Sequence, residues 1–119
     1  MPGVTRLVHL RDVIKNIHAL ESFLITKFRV CLNETMVLCS LEQGTERSTK
    51  LAQLLGVTYS LMSRTLALLE KKGLIEREIG KDDKREMYFS LTKNGRDLLT
   101  KIVEEYDSRE LVRSCKKVG

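Results

Sequence analysis

The chain has 119 residues, 42% hydrophobic and 31% charged, a composition that suits one folded domain and leaves little room for a separate catalytic domain. Lys and Arg number 21 against 16 Asp and Glu, a formal charge of +5, which favours an anionic partner without strong indiscriminate attraction. No uncharged run is long enough to span a bilayer, and Arg6, Arg11, Asp12, Lys15, Glu21, Lys27 and Arg29 interrupt the first 30 residues, so neither a membrane segment nor a secretory leader is expected and the cytoplasm is the expected compartment.

Residues 4–28 carry Val13, Ile17, Leu20 and Leu24 at helical spacing, with Leu10 and Phe28 extending the stripe and Ile14 widening it. The spacing predicts a long amphipathic helix with more apolar face than a small core needs, so part of it is expected to meet a second subunit. His18, beside Ile17, reads as a surface or interface histidine. The following segment, LNETMVLCSLEQG, predicts a short helix over Met36, Val37, Leu38 and Leu41, capped by Asn33 and stopped by Gly44. Cys31 and Cys39 stand among apolar neighbours and read as small buried hydrophobes, with a redox sensor and a metal ligand as the alternatives. With Cys115 they make an odd number unsuited to a disulfide framework, and His9 and His18 are far from any cysteine pair, so no metal or other cofactor is expected.

Residues 45–72 hold five Lys or Arg against two acidic residues, whereas residues 73–99 hold six of each sign. The positive bias therefore falls on one segment, STKLAQLLGVTYSLMSRTLALLEKKG. Ser48 can cap a helix whose Leu51, Ala52 and Leu55 face inward, and Gly56 ends it. Thr58 caps a second helix with Met62, Leu66 and Leu69 inside, and Gly73 terminates that one. The joint of Gly56, Val57 and Thr58 forces a sharp crossing, since glycine readily takes the left-handed conformation. The period then changes to two: LIEREI and MYFSL predict a hairpin with a charged tip, GKDDKRE. From Thr92 the apolar positions Leu98, Leu99, Ile102, Val103 and Tyr106 restore a helix.

This order describes a mainly α fold with a small β-hairpin, a winged helix-turn-helix spanning residues 32–92 of a single domain, flanked by candidate dimerisation helices at 4–30 and 93–115. A helix fits the major groove of B-form DNA, and the first helix of the pair braces it on the backbone. With Met62, Leu66 and Leu69 inside, Ser60, Arg64, Ala67 and Lys71 fall on the opposite face and Leu61 on its flank. Arg64 can donate two hydrogen bonds to a guanine edge or a phosphate, and Leu61 can meet a thymine methyl. Arg47 and Lys50 are candidate phosphate contacts; for the whole face, the alternative is an ordinary solvated surface. Lys71 and Lys72 also favour the negative end of their helix. In the tip, Asp83 can aim Arg85 into a minor groove with Lys84 beside it, or the charges can simply stiffen the hairpin.

The run LAQLLGVTYSLMSRTLALLEKKGLIER at Leu51–Arg77, followed by DKREMYFSLTKNG at Asp83–Gly95, resembles the MarR family of bacterial transcriptional regulators. The matching features are the Leu-Glu-x-x-Gly-Leu turn at Leu69–Leu74, Asp-x-Arg at Asp83 and Arg85, and Leu91-Thr92-x-x-Gly95. The resemblance implies a homodimer joined through its terminal helices, for which Val13, Ile17, Leu20, Leu24, Leu98, Ile102 and Tyr106 are the interface candidates. It implies contacts to double-stranded DNA from Ser60, Leu61, Ser63 and Arg64 and, in the wing, from Arg85 oriented by Asp83; Arg47, Lys50, Thr58, Lys71 and Lys84 complete the candidate contacts. The expected target is a pseudo-palindromic operator, with repression favoured over activation. The C-terminal part is shorter than the family's usual pair of final helices, as in the compact Sar regulators, and the first helix lacks the thiol of the peroxide-sensing branch. A small-molecule effector is also implied, with Phe23, Phe28, Tyr59 or Tyr106 as lining candidates; the same aromatics read as core. No Gly-rich phosphate loop, HExxH or CxxC occurs, so catalysis is not expected. The alternative function is a winged-helix protein-interaction or assembly module.

Overall fold

The computed structural model describes the backbone of residues 1–79 and 86–118 and the side chains of residues 1, 3–79 and 86–108. These divide into two compact units, residues 1–32 and 33–119.

The first unit is dominated by α1 (Pro2–Phe28). Pro2 opens it, because a fixed φ suits a helix start and the missing N–H would have had no partner there. The helix ends at Arg29, whose φ of 58° is positive. Arg29 N–H donates to the Ile25 carbonyl at 3.1 Å and Val30 N–H to Leu24 at 3.4 Å, so the left-handed residue closes the last turn. Phe23 and Phe28 meet edge to face, their centroids 5.7 Å apart. Glu21 accepts a hydrogen bond from Leu32 N–H at 3.1 Å. This carboxylate satisfies a backbone donor at the start of α2 (Leu32–Ser40), where Asn33 was expected as the cap; Asn33 lies inside the helix instead. Gly44 follows the end of α2 only after a further turn.

In the second unit come β1 (Glu46–Arg47), α3 (Ser48–Leu55), α4 (Tyr59–Lys71), β2 (Ile75–Ile79), β3 (Met87–Leu91) and α5 (Lys93–Val118). The sheet is antiparallel in the order β1-β3-β2. Pairing of Ile75 with Leu91, Arg77 with Phe89 and Ile79 with Met87 gives the expected hairpin, but burial follows the alternation only in part: Ile75 and Phe89 are buried, whereas Ile79 is exposed. The short β1 was not foreseen in the sequence; Glu46 and Arg47 pair with Phe89 and Tyr88. Ser48 is the first helical residue of α3 and buried, while Arg47 holds the cap position without a side-chain cap bond.

Met62 and Leu69 are fully buried and Leu66 is 2% exposed, sealing the inner stripe of α4 against a core that includes Leu38, Leu51 and Phe89. Burying such a side chain contributes about 1.5–3 kcal/mol. Glu34 of α2, only 4% exposed, pairs with Lys72 Nζ at 2.7 Å. The pair ties α2 to the residue that caps α4 and gives a buried carboxylate its partner.

After α4, Gly73 takes φ 75°, and Leu74 N–H donates back to the Leu69 carbonyl at 3.0 Å. Thr92 then ties the start of α5 to this turn: its hydroxyl donates to the Gly73 carbonyl at 2.7 Å and accepts from Gly95 N–H at 3.0 Å. Gly95 lies so close that an added Cβ would overlap the Leu74 carbonyl oxygen. The Thr-x-x-Gly spacing thus has a steric and hydrogen-bonding cause.

Candidate nucleic-acid interface

The site is built on α3 and α4, joined as the sequence predicts. Gly56 ends α3 at φ 68°. Thr58 stands extended, and its hydroxyl accepts from Leu61 N–H at 3.1 Å, capping α4. Inside the helix, Thr65 donates its hydroxyl to the Leu61 carbonyl at 2.9 Å, so a buried polar group is satisfied.

With the inner stripe sealed, Ser60, Ser63, Arg64, Ala67 and Lys71 are exposed together along the outer side of α4. Leu61, expected on the outward flank, is half-buried. Tyr59 is 57% exposed and Leu68 is 44% exposed; neither is among the candidate contacts, although a helical projection places Leu68 on the flank of the outer face, whereas Tyr59 projects nearer the inner stripe and is exposed at the first residue of the helix. Lys50 is exposed on α3, where Leu54 adds another exposed apolar side chain.

The cations of this unit differ in their availability. Arg47 Nη1 pairs with Glu86 at 3.3 Å, and the other oxygen of Glu86 accepts from Tyr88 hydroxyl at 3.3 Å. Lys72 is engaged by Glu34, and Arg77 by Glu70 at 2.7 Å. Among the described residues, Lys50, Arg64 and Lys71 are in no ion pair. Their charge is therefore uncompensated by a direct partner, while that of Arg47 is locally neutralised. Lys84, Arg85 and the orienting Asp83 lie outside the described residues.

The interface candidates do not behave alike. Val13, Ile17 and Tyr106 are exposed, and Leu20 and Leu98 half-buried. Leu24 and Ile102 are buried within the single chain and offer no free surface. Their places in the helical stripes put all seven residues in one class, which the sequence periodicity alone cannot subdivide. Of the aromatics considered for an effector, Phe23 is buried against Phe28, whereas Tyr59 and Tyr106 are exposed.

Cys39 departs from the sequence expectation, being exposed rather than buried. Partial desolvation and then the nearby Glu42 carboxylate push its thiol pKa up, which disfavours the reactive thiolate. Cys31 is half-buried. Among the described residues no group of three His, Cys, Asp or Glu is placed to hold a metal, and no helix is long and apolar enough to cross a membrane.

Residues 32–87 match the model of the MarR family. The fold is similar to that of a MarR variant from E. coli complexed with operator DNA, with 25% identity over 86% of this chain and 72% of that one and a TM-score of 0.75. It is similar to the transcriptional regulator BldR from Sulfolobus solfataricus, with 21% identity over 99% and 97% of the two chains and a TM-score of 0.74. A MepR–DNA complex from S. aureus gives 21% identity over 92% and 82%, with a TM-score of 0.76. No curated protein sequence matches the chain.

Proposed function

We propose that the chain is a DNA-binding transcriptional regulator of the MarR type, whose model residues 32–87 match, and that it binds a pseudo-palindromic operator in double-stranded DNA as a homodimer and acts on transcription chiefly as a repressor. In this reading the chain regulates and does not catalyse. The observation that carries the finer reading is the outer face of α4, where Arg64 and Lys71 stand without intrachain ion pairs beside Ser60, Ser63 and Ala67. A helix so presented, sealed on its other side and capped at its start, is suited to enter a major groove rigidly.

In this reading Arg64 contacts a base edge or the phosphate next to it, Ser60, Leu61 and Ser63 line the groove, and Thr58 caps the helix at the DNA. Lys50 and Lys71 hold phosphates, which position the protein without reading sequence. Arg47 reaches phosphate only by exchanging Glu86 for it. Lys84 and Arg85, aimed by Asp83, occupy the flanking minor groove. Val13 and Ile17 on α1, and separately Tyr106 on α5, are the exposed candidates through which two copies join. The operator-bound relative of similar fold supports the assignment of α4 as the recognition helix.

Selection of bound duplexes from a random pool, followed by fluorescence anisotropy, tests the reading. Arg64→Ala is expected to cost about 1–3 kcal/mol on the selected operator and to relax its discrimination. Sedimentation at micromolar concentration is expected to give twice the 13.7 kDa chain mass. Equal, weak affinity of wild type and Arg64→Ala for every duplex overturns the DNA reading; a monomer overturns the two-fold operator.

A further inference from the structure

We propose that Glu70 and Arg77, seated on Phe89, form a positioning strut that fixes the wing hairpin at a set angle to the recognition helix, so that central and flanking operator bases are read in register. The proposal rests on the DNA-binding reading above. Glu70 belongs to the last turn of α4 and Arg77 to the middle of β2, so the pair spans the turn between the two reading elements.

Three observations converge on Arg77. Its Nη2 donates to Glu70 Oε1 at 2.7 Å. Its guanidinium lies 5.5 Å from the centroid of the Phe89 ring, a cation–π distance. Phe89 is its register partner on β3 and is itself buried. The strand alternation puts Arg77 on the same side as the buried Ile75, where packing alone would favour an apolar residue. A planar cation held by a carboxylate and a ring face has few orientations left. The adjoining turn passes through Gly73, the residue type with the widest backbone freedom, so a side-chain brace beside it has an angular role.

Both partners are partly exposed, at 45% and 28% of their side chains. A pair so placed contributes little to global stability because water screens it. Its removal therefore acts on geometry far more than on folding, and this separates a positioning residue from a structural one.

The test uses the full chain with Glu70→Gln, with Arg77→Glu, and with the charge-reversed pair Glu70→Arg plus Arg77→Glu. Binding is measured on the selected operator, on duplexes altered at central bases, and on duplexes altered at flanking bases. Each single variant is expected to keep its central discrimination while losing flanking discrimination about 5- to 10-fold, and the reversed pair to recover part of that loss. The thermal midpoint of Glu70→Gln is expected to fall by less than about 5 °C. Flanking discrimination unchanged in the single variants overturns the strut, as does a loss of central and flanking discrimination in equal measure. Tighter binding by Glu70→Gln with a steeper salt dependence also overturns it, by making Arg77 a phosphate ligand that Glu70 restrains. If wild type prefers no duplex over a scrambled one, the DNA reading fails and the strut with it; if wild type is selective and the variants match it, only the strut fails.

Discussion

Helices α1 and α4 both carry apolar residues at helical spacing, yet they use them differently. In α4 the stripe of Met62, Leu66 and Leu69 is sealed within the chain, while in α1 the residues Leu7, Leu10, Val13, Ile14 and Ile17 remain exposed over several turns. The same periodicity therefore has two outcomes: in α4 a face the chain buries itself, in α1 a face left exposed, which the proposed second copy would cover. A stripe identifies a buried face without saying which molecule buries it.

The largest effect expected from breaking this contrast is at Leu66. Leu66→Ala is expected to lower stability by about 3 kcal/mol at any protein concentration, from lost burial and the cavity left behind. Ile17→Ala should instead change the denaturation midpoint only where the dimer is populated, with the difference vanishing on dilution. Urea titrations at several concentrations distinguish the two, and a concentration-independent loss at Ile17 would place that residue in an intrachain core.

Next comes Gly95, which tests whether the winged unit is as tightly joined outside α4 as inside it. Gly95→Ala forces a Cβ against the Leu74 backbone, which cannot rotate aside, and is expected to cost about 2–3 kcal/mol in urea denaturation. A smaller, sharper probe is Thr58→Ala, which removes the acceptor for Leu61 N–H. It is expected to cost about 1 kcal/mol and to speed amide exchange in the first turn of α4, with the far turns unaffected.

The smallest effect concerns Cys39. Since partial burial and Glu42 raise its pKa, its alkylation in native protein at pH 8 should be slower than in urea and should accelerate only above the ordinary thiol range. Peptide mass mapping reports the site separately from Cys31 and Cys115. Fast native alkylation at pH 7 would reverse this and restore a sensing role.

What could be read from sequence follows how far each determinant reaches. The Thr58 cap, the Gly56 and Gly73 stops and the strand at MYFSL depend on neighbours within a few residues, and each appears as expected. The misplaced caps have distant causes. Glu21 serves Leu32 N–H from 11 residues away, and β1, which takes Arg47 into a strand, forms only by pairing with Tyr88 and Phe89. The engagement of Arg47 by Glu86 likewise spans 39 residues. On α4, the helical projection located the outward face but could not assign the half-burial of Leu61, which depends on how neighbouring elements pack. Cys39 departs from the pattern because its neighbours in sequence are apolar, whereas its helix turns it outward.

Thr92 shows how one side chain can join two elements of this molecule. One hydroxyl donates toward Gly73 and accepts from Gly95, so its proton has a single direction and the oxygen is committed on both sides. The backbone adds a third bond, Thr92 N–H donating to the Leu74 carbonyl at 3.1 Å, so one residue holds the first turn of α5 to the root of the hairpin with both its backbone and its side chain. Valine would fill the same volume and lose the two hydroxyl bonds while keeping the backbone one, and serine would keep all three while loosening its packing.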